Sequence, residues 1–580
     1  MGKVFFCLFF LTIQAFSQEN EPYLSNQTYT FEGAIAAYKS LAAQNPKTSR
    51  YLEMGSSDYG LPMPLFIMNS SGDFSKNSLQ SRPVILINNA IHAGEPCGVD
   101  ACIKLSKELL KAPGLLPKNC VIAIIPIYNI GGAHNRNCCS RANQNGPEEY
   151  GFRGNAKNLD LNRDFIKADS KNSLAFYAIF HYLKPVIFVD THTSNGADYQ
   201  HTMTLITSQL NKMNPTLASF TKNKLNPFLF DAMKKGGYPM VPYMNTKTEI
   251  PDDGIVDYLE TPRYSTGYTN LFQTIGFVTE AHMLKPFPAR VEATYTFLKK
   301  LIEFTDQHHE EILANRLKAM QEDQDLEKVP LNWVLDTNVY DTIPFLGYAA
   351  RYKKSEVTGI DRLYYDQTSP YSKYIKYYNT YLPVDEVKTP HYYIIPQQWE
   401  SVVRLLRMNE VPVYALTAPT NLSVEGYEIL TYETTKSAYE GHYLHSNIKV
   451  KAHQKTLPYR KGDFVVPVRN TKLRFIVETL EPHAVDSYFA WNFFDATLQQ
   501  KEWFSAYVFE DEAAEMLKND PALKAEFEQK RANDPEFAAS DFAQLYFLYK
   551  RSPNYEPTVN LYPITRLMTP LDQSFLAPAQ

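Results

Sequence analysis

Histidine and glutamate, side chains that bind divalent metals and carry protons, recur directly after short apolar runs in the first half of the sequence. Val84–Ile87 is followed by Asn88-Asn89-Ala90-Ile91-His92-Ala93-Gly94-Glu95, Val186–Val189 by Asp190-Thr191-His192, and Phe277-Val278 by Thr279-Glu280-Ala281-His282. In open α/β sheets ligands bind beyond the carboxyl ends of the strands, so three strand exits bring His92, Glu95, His192 and Glu280 toward one edge. Any one of these short patterns is weak. With 13 His in the chain and Glu at about 6% of residues, a His-x-x-Glu pair arises about once by chance. The pair occurs at His92/Glu95 and again at His308/Glu311. The second lies in a charged helical stretch with no strand before it and reads as a solvated face.

The elements that must position these residues are legible as apolar runs. Val84–Ile87, Val121–Ile127, Val186–Val189 and Phe277–Val278 are rich in Val, Ile or Phe without polar alternation, the pattern of strands covered on both faces. Between the first two, Val99, Cys102, Ile103, Leu109 and Leu110 recur at helical spacing. This strand–helix–strand rhythm predicts an α/β domain with a mixed, mostly parallel sheet flanked by helices. A helix is expected over about Arg290–Met320, then the charged stretch Gln321–Lys328, where a domain boundary is placed. Residues 18–325 and 326–580 are the resulting domains, the second α+β or β-rich. In it Tyr392–Ile395, Pro412–Leu416, Phe464–Val468 and Leu473–Val477 read as strands and Gln397–Met408 as a helix. Asp520-Pro521 and Asp534-Pro535 each set a capping acid before a proline, the start signal of two further helices.

The 580 residues carry 58 Lys+Arg against 63 Asp+Glu, a net charge of 58 − 63 = −5, with 44% apolar and 21% charged residues. Those proportions exclude a disordered chain and a polycation that binds nucleic acid by bulk charge. Met1–Ser17 reads as a secretory signal: Lys3, then the run Val4–Ile13 broken only by Thr12, then Ala15-Phe16-Ser17 at the cleavage spacing. The run is shorter than the ~20 apolar residues a bilayer span requires, so no stable membrane anchor is expected. The remainder is predicted to be exported, secreted or periplasmic. Without Cys7, the cysteines are Cys97, Cys102, Cys120, Cys138 and Cys139. They form neither a disulfide framework nor a metal clamp, and Cys102 and Cys120 are expected as buried thiols.

His92-Ala93-Gly94-Glu95, Asn158-Leu159-Asp160-Leu161-Asn162-Arg163-Asp164, Asp190-Thr191-His192-Thr193 and Phe277-Val278-Thr279-Glu280 together resemble, in order and interval, the zinc carboxypeptidase family. These are the metallopeptidases related to carboxypeptidases A and B, and the resemblance spans about residues 29–290. It implies one Zn²⁺ per chain held by His92, Glu95 and His192, and a zinc-bound water that attacks the C-terminal peptide bond with Glu280 as general base. Two neutral imidazoles and one carboxylate leave such a site at 2 − 1 = +1 and bring the water's pKa to about 7. Asn162 and Arg163 correspond to the pair that grips a peptide's terminal carboxylate, the guanidinium making two parallel charge-assisted bonds. Arg141 is similar to the arginine that polarises the scissile carbonyl, with Arg136 and Arg153 as alternatives because the loop length departs from the family. Asp160 resembles the carboxylate that orients the first zinc histidine. Tyr264 is chosen, over Tyr258 and Tyr268, as the family's mobile tyrosine.

Arg263 reads as a loop salt bridge, and His134, His181, His201 and His282 as packing residues. About a dozen residues separate the signal from the domain, so no folded inhibitory propeptide is expected. The resemblance gives the second domain no role. The principal expectation is therefore an exported zinc metallocarboxypeptidase acting on peptide or protein C-termini. The alternatives are a zinc amidohydrolase acting on cell-wall peptides or N-acyl amino acids, and a non-hydrolytic binding protein that retains the fold. A binder has no need of Glu280 as a base. Nothing in the pattern specifies an oligomeric state.

Overall fold

The computed structural model describes residues 21–112 and 114–579; the signal-type segment Met1–Ser17 lies outside them. An eight-stranded sheet forms the centre of the first half. Its strands are β1 (Ser49–Ser56), β2 (Pro62–Met68), β3 (Val84–Asn89), β4 (Val121–Ile125), β5 (Ile187–Ser194), β6 (Met203–Thr207), β7 (Val241–Pro242) and, beyond the short β8 (Ile255–Val256) of another sheet, β9 (Ile275–His282). The order is β1-β2-β4-β3-β5-β9-β6-β7. β4, β3, β5 and β9 run parallel, while β1/β2, β2/β4 and β6/β9 are antiparallel.

Both faces of this sheet are covered, which is why its strands show no polar alternation. Ile85, Ile87, Ile122, Ile124, Ile187 and Val189 pack on one face with Cys102 and Ile103 of the Cys97–Leu110 helix and Phe297 and Leu301 of the Phe287–Gln307 helix. Val84, Leu86, Val121, Ala123 and Phe188 face the other way, against Phe176, Ile179 and Phe180 of the Lys171–Leu183 helix. Each such side chain contributes roughly 1.5–3 kcal/mol on burial. A Cβ added at Gly98 would lie 2.0 Å from Thr191 Oγ1, so the first helix rests directly on β5. The helix expected over Arg290–Met320 is two helices, Phe287–Gln307 and His309–Gln324, broken at His308, whose backbone leaves the helical region at φ −109°, ψ 22°.

The chain enters β10 (Lys328–Leu335) and continues through β11 (Asp341–Lys354), β12 (Asp361–Tyr378), β13 (Tyr381–Lys388), β14 (Tyr392–Ile395), β15 (Tyr414–Leu416), β16 (Thr420–Thr434), β17 (His445–Tyr459), β18 (Phe464–Pro467), β19 (Thr565–Leu567) and β20 (Leu576–Pro578). β11/β12 and β16/β17 are long antiparallel hairpins, and β17-β16-β19-β14-β18-β15-β20 form a seven-stranded sheet. Asp520 and Asp534 accept hydrogen bonds from the first turns of the Pro521–Asn533 and Pro535–Ala538 helices. These helices share a small apolar cluster of their own around Phe509, Phe527, Phe537 and Leu548.

Leu473–Val477 is not a strand but the start of the Leu473–Leu480 helix. Leu473, Ile476, Val477 and Leu480 fall at i, i+3, i+4 and i+7. Every residue from Leu473 to Leu480 is buried, so no polar face marks the helical period.

The apolar core does not stop between the two halves. The cluster beneath β3 and the Lys171–Leu183 helix runs on into Val402, Leu406, Phe475 and Trp491, and β8 of the first half pairs with β12 of the second. Among the described residues, no helix is long and apolar enough to cross a membrane.

Candidate metal and catalytic site

Strand register brings the predicted residues together. On adjacent parallel strands, Asn88 of β3 is level with Asp190 of β5, and His192 of β5 is level with Glu280 of β9. Beyond β3 the backbone turns at Ala90, which adopts a left-handed φ of 55°. The chain then lays His92 and Glu95 along the same edge before the Cys97–Leu110 helix begins.

His92 Nδ1 lies 3.1 Å from Glu95 Oε1, and His192 Nδ1 lies 3.2 Å from Glu95 Oε2. The three ligand-type atoms are all within 4.8 Å of one another, and all three side chains are buried. The outer nitrogens point at carboxylates. His92 Nε2 is 3.0 Å from Asp160 Oδ1. His192 Nε2 is 3.2 Å from Asp190 Oδ2, although the angle does not make a hydrogen bond. Asp190 is itself held by Asn88 Nδ2 at 3.1 Å and Ser265 Oγ at 2.6 Å. An outer Nε2–H facing a carboxylate leaves the Nδ1 lone pair inward, the tautomer a metal needs. Two imidazole nitrogens and a carboxylate with inward lone pairs are a donor set that fits zinc.

Electrostatics keep these acids in different states. Burial opposes ionisation of Glu95, but the Arg141 guanidinium and the two histidines hold its carboxyl well below the usual range. The Thr193 N–H also donates to Glu95 Oε2 at 2.7 Å. Burial likewise opposes the charge on Asp160, yet His92, Arg153 and Arg163 lower its pKa. Burial, with the Glu95 and Asp190 charges adding to it and His192 and Arg141 opposing it, pushes Glu280 up to about 7.

A cavity of about 230 Å³ is lined by His92, Glu95, His192, Glu280, Arg141, Arg153, Asn162, Arg163, Tyr243, Tyr258 and Tyr264. Arg141 Nη1 sits 2.9 Å from Glu95 Oε1, and its Nε donates to Gln144 Oε1 at 2.7 Å. A Cβ on Gly94 would meet Arg141 Cδ at 2.8 Å and Gly151 O at 2.9 Å, so only glycine admits this arginine. Arg153 donates from Nε and Nη2 to Asp160 Oδ2 at 3.1 and 2.8 Å. Arg136 is absent from the cavity lining and donates instead to the carbonyls of Tyr29 and Glu149. Asn162 Oδ1 accepts from the Ser265 N–H at 3.2 Å. Arg163 lies over the Tyr264 ring, 4.5 Å from its centre, and Tyr258 meets Tyr264 edge-on at 5.5 Å. Tyr268 is buried in the core against Phe176 and Phe180.

Arg263 forms an ion pair with Asp486, Nη2 to Oδ1 being 2.6 Å. His181, His201 and His282 hydrogen-bond to Asn409, Pro239 O and Ala197 O, and His134 stacks on Tyr59. Cys138 and Cys139 form a vicinal disulfide, while Cys97, Cys102 and Cys120 are buried free thiols. Sequence reasoning missed Asp190 and Tyr243, together with the two side chains that the second half brings up, Tyr439 and Glu440. Asp190 had a signal: in a strand, residues two apart share a face, so Asp190 accompanies His192.

Residues 34–264 match the family model for zinc carboxypeptidase. The match covers less than half of the chain. Among solved structures, the chain is similar to a metallo-carboxypeptidase from Burkholderia cenocepacia, at 16% identity over 48% of this chain and 70% of that one, with a TM-score of 0.35. It is also similar to the carboxypeptidase A from Helicoverpa armigera, at 13% identity over 51% and 74%, TM-score 0.36. Bovine thrombin-activatable fibrinolysis inhibitor, in complex with tick carboxypeptidase inhibitor, gives 11% identity over 49% and 99%, TM-score 0.37. No curated protein matches the chain. The first half is thus a zinc-carboxypeptidase-like α/β domain, a mixed sheet flanked by helices, and a β-rich region with antiparallel sheets follows it.

Proposed function

We propose that the protein is an exported zinc metallocarboxypeptidase that hydrolyses the C-terminal peptide bond of peptides or proteins, with residues 18–325 as the catalytic domain and 326–580 as an accessory domain. The position of Arg163 carries this conclusion. Its guanidinium lines the same cavity as the His92–Glu95–His192 cluster and Glu280, so a chain end it grips lies within reach of the hydrolytic groups. Zinc held by His92, Glu95 and His192 supplies Lewis-acid chemistry, polarising a carbonyl and acidifying water.

The chain's own residues do the rest. Asp160 fixes the His92 imidazole through its outer nitrogen, and the Asp190 carboxylate faces the outer nitrogen of His192. Arg163 and Asn162 bind the terminal carboxylate; among the described residues Arg163 Nη2 has no protein partner, which leaves it free to donate. Glu280 accepts a proton from the attacking water on its carboxylate. The water oxygen bonds to the carbonyl carbon, and Arg141 or Arg153 donates to the carbonyl oxygen as it gains charge. Glu280 then delivers its proton to the amide nitrogen as the C–N bond breaks. Tyr264, stacked on Arg163, forms the wall on which the last residue of the substrate rests.

A peptide library digested by the native chain and by Glu280→Gln, read by mass spectrometry, tests this. Sequential loss of C-terminal residues from free-acid peptides, absent for amidated ones and absent for Glu280→Gln, is expected. Internal cleavage, or release of acyl groups and cell-wall fragments with intact peptide C-termini, would instead favour an amidohydrolase.

A further inference from the structure

Outside the zinc carboxypeptidase region, the turn at residues 435–444 that joins β16 to β17 reaches back to the carboxylate-binding loop. Tyr439 and His442 close this turn through reciprocal backbone hydrogen bonds, and Glu440 adopts a left-handed φ of 51° at its tip. Arg163 Nε donates to Tyr439 Oη at 3.1 Å. One residue on, Glu440 Oε2 accepts from the Asp160 N–H at 2.7 Å. His442 Nε2 lies 2.7 Å from Asp169 Oδ2. Three neighbouring side chains thus hold both ends of the segment that carries Asn162 and Arg163.

The geometry at Arg163 is specific. A guanidinium has five N–H donors and can grip a carboxylate end-on through its two Nη atoms or side-on through Nε and one Nη. Tyr439 takes the Nε–H, which leaves the end-on edge for the substrate. The tyrosine ring is fixed in turn, stacked near Trp491 at 6.2 Å and facing the Arg263 guanidinium at 5.6 Å. Trp491 is fully buried.

We propose that Tyr439 is a positioning residue for Arg163, so that the second half of the chain completes the pocket for the substrate's terminal carboxylate, an inference that rests on the carboxypeptidase reading. Tyr439 aims the guanidinium without touching substrate, and its loss acts on binding of free C-termini rather than on bond cleavage.

Tyr439→Phe removes only the hydroxyl and keeps the ring contacts. For free-acid peptides KM is expected to rise about tenfold, the scale of one hydrogen bond to a charged group, with kcat within about twofold. Zinc content and thermal unfolding are measured alongside. In an Arg163→Ala background the same change is expected to alter nothing further. A native chain that cleaves free-acid and amidated peptides equally, or neither, overturns the carboxypeptidase reading itself. A native chain that prefers free acids, with KM unmoved in Tyr439→Phe or with kcat and KM altered as much in the Arg163→Ala background, overturns the role of Tyr439 alone.

Discussion

Asp486→Asn is expected to loosen the docking of the second half onto the active-site loop. Asp486 is fully buried, and the Arg263 side chain is 14% exposed. The carboxylate accepts from Arg263 Nε at 2.7 Å and from the Arg263 backbone N–H at 3.0 Å. Asn is nearly the same shape and tolerates the left-handed φ of 66° at this position. The substitution therefore removes the charge and, because both carboxylate oxygens accept from Arg263 N–H groups, sets the new amide NH₂ against one of those donors. Breaking a buried pair by neutralising one partner costs about 3–5 kcal/mol, because the other charge is left uncompensated. The Trp491 ring, 5.1 Å from the guanidinium, is a cation–π contact of ~0.5–1 kcal/mol that the substitution leaves in place. The expectation is about 3 kcal/mol, or a fall of about 0.5 M in the urea midpoint, since the slope for a chain of 580 residues is well above the ~1–3 kcal/mol/M of small proteins. Tryptophan fluorescence reports it directly, since Trp491 is at the junction. Arg263→Met combined with Asp486→Asn removes both charges and is expected to recover most of the loss. A midpoint shift below a third of that size, or a double variant no more stable than Asp486→Asn, would refute the reasoning.

Further perturbations separate the site from its frame. Asp160→Asn, which weakens the hold on His92 Nε2, is expected to lower zinc affinity about 10–100-fold, measured by competition with a chelator. Gly98→Ala forces a Cβ to within 2.0 Å of Thr191 Oγ1, so thermal unfolding should show a loss of about 1–3 kcal/mol and zinc binding should weaken with it. Asp100 is buried beside Thr28, and burial pushes its carboxyl from 3.8 up to about 8. The folded chain keeps this proton while the unfolded chain loses it above ~4, so stability falls as pH rises from about 4 to 8 and is level beyond, at ~1.4 kcal/mol per unit. Asp100→Asn, neutral throughout, should match the native chain near pH 4 and be several kcal/mol more stable at pH 9 by denaturant titration.

Much of the site was legible because each zinc-type residue stands at the end of a strand whose apolar run is unmistakable. His92, His192 and Glu280 needed only the rule that parallel strands present their carboxyl ends to one edge. The positions of Asp160 and Asn162-Arg163 came through family resemblance rather than periodicity, for their segment is a loop with a single short 3₁₀ turn at Leu161–Arg163. Leu473–Val477 misled because a fully buried helix and a fully buried strand have the same apolar composition over five residues. Tyr439 and Glu440 had no local signal at all: Tyr439 lies 276 residues from Arg163 in sequence and meets it only because β16 and β17 extend far enough to carry their turn there. Among three arginines, sequence left the carbonyl-polarising role open. The cavity retains Arg141 and Arg153 and discards Arg136, whose donors are spent on two backbone carbonyls.

The direct test of the central claim is an anomalous difference map at the zinc edge from crystals of the zinc-loaded chain. One peak per chain is expected, about 2.0–2.2 Å from His92 Nδ1, His192 Nδ1 and a Glu95 carboxylate oxygen. A peak ligated by other residues, or zinc-loaded crystals with no peak between these three side chains, would contradict it.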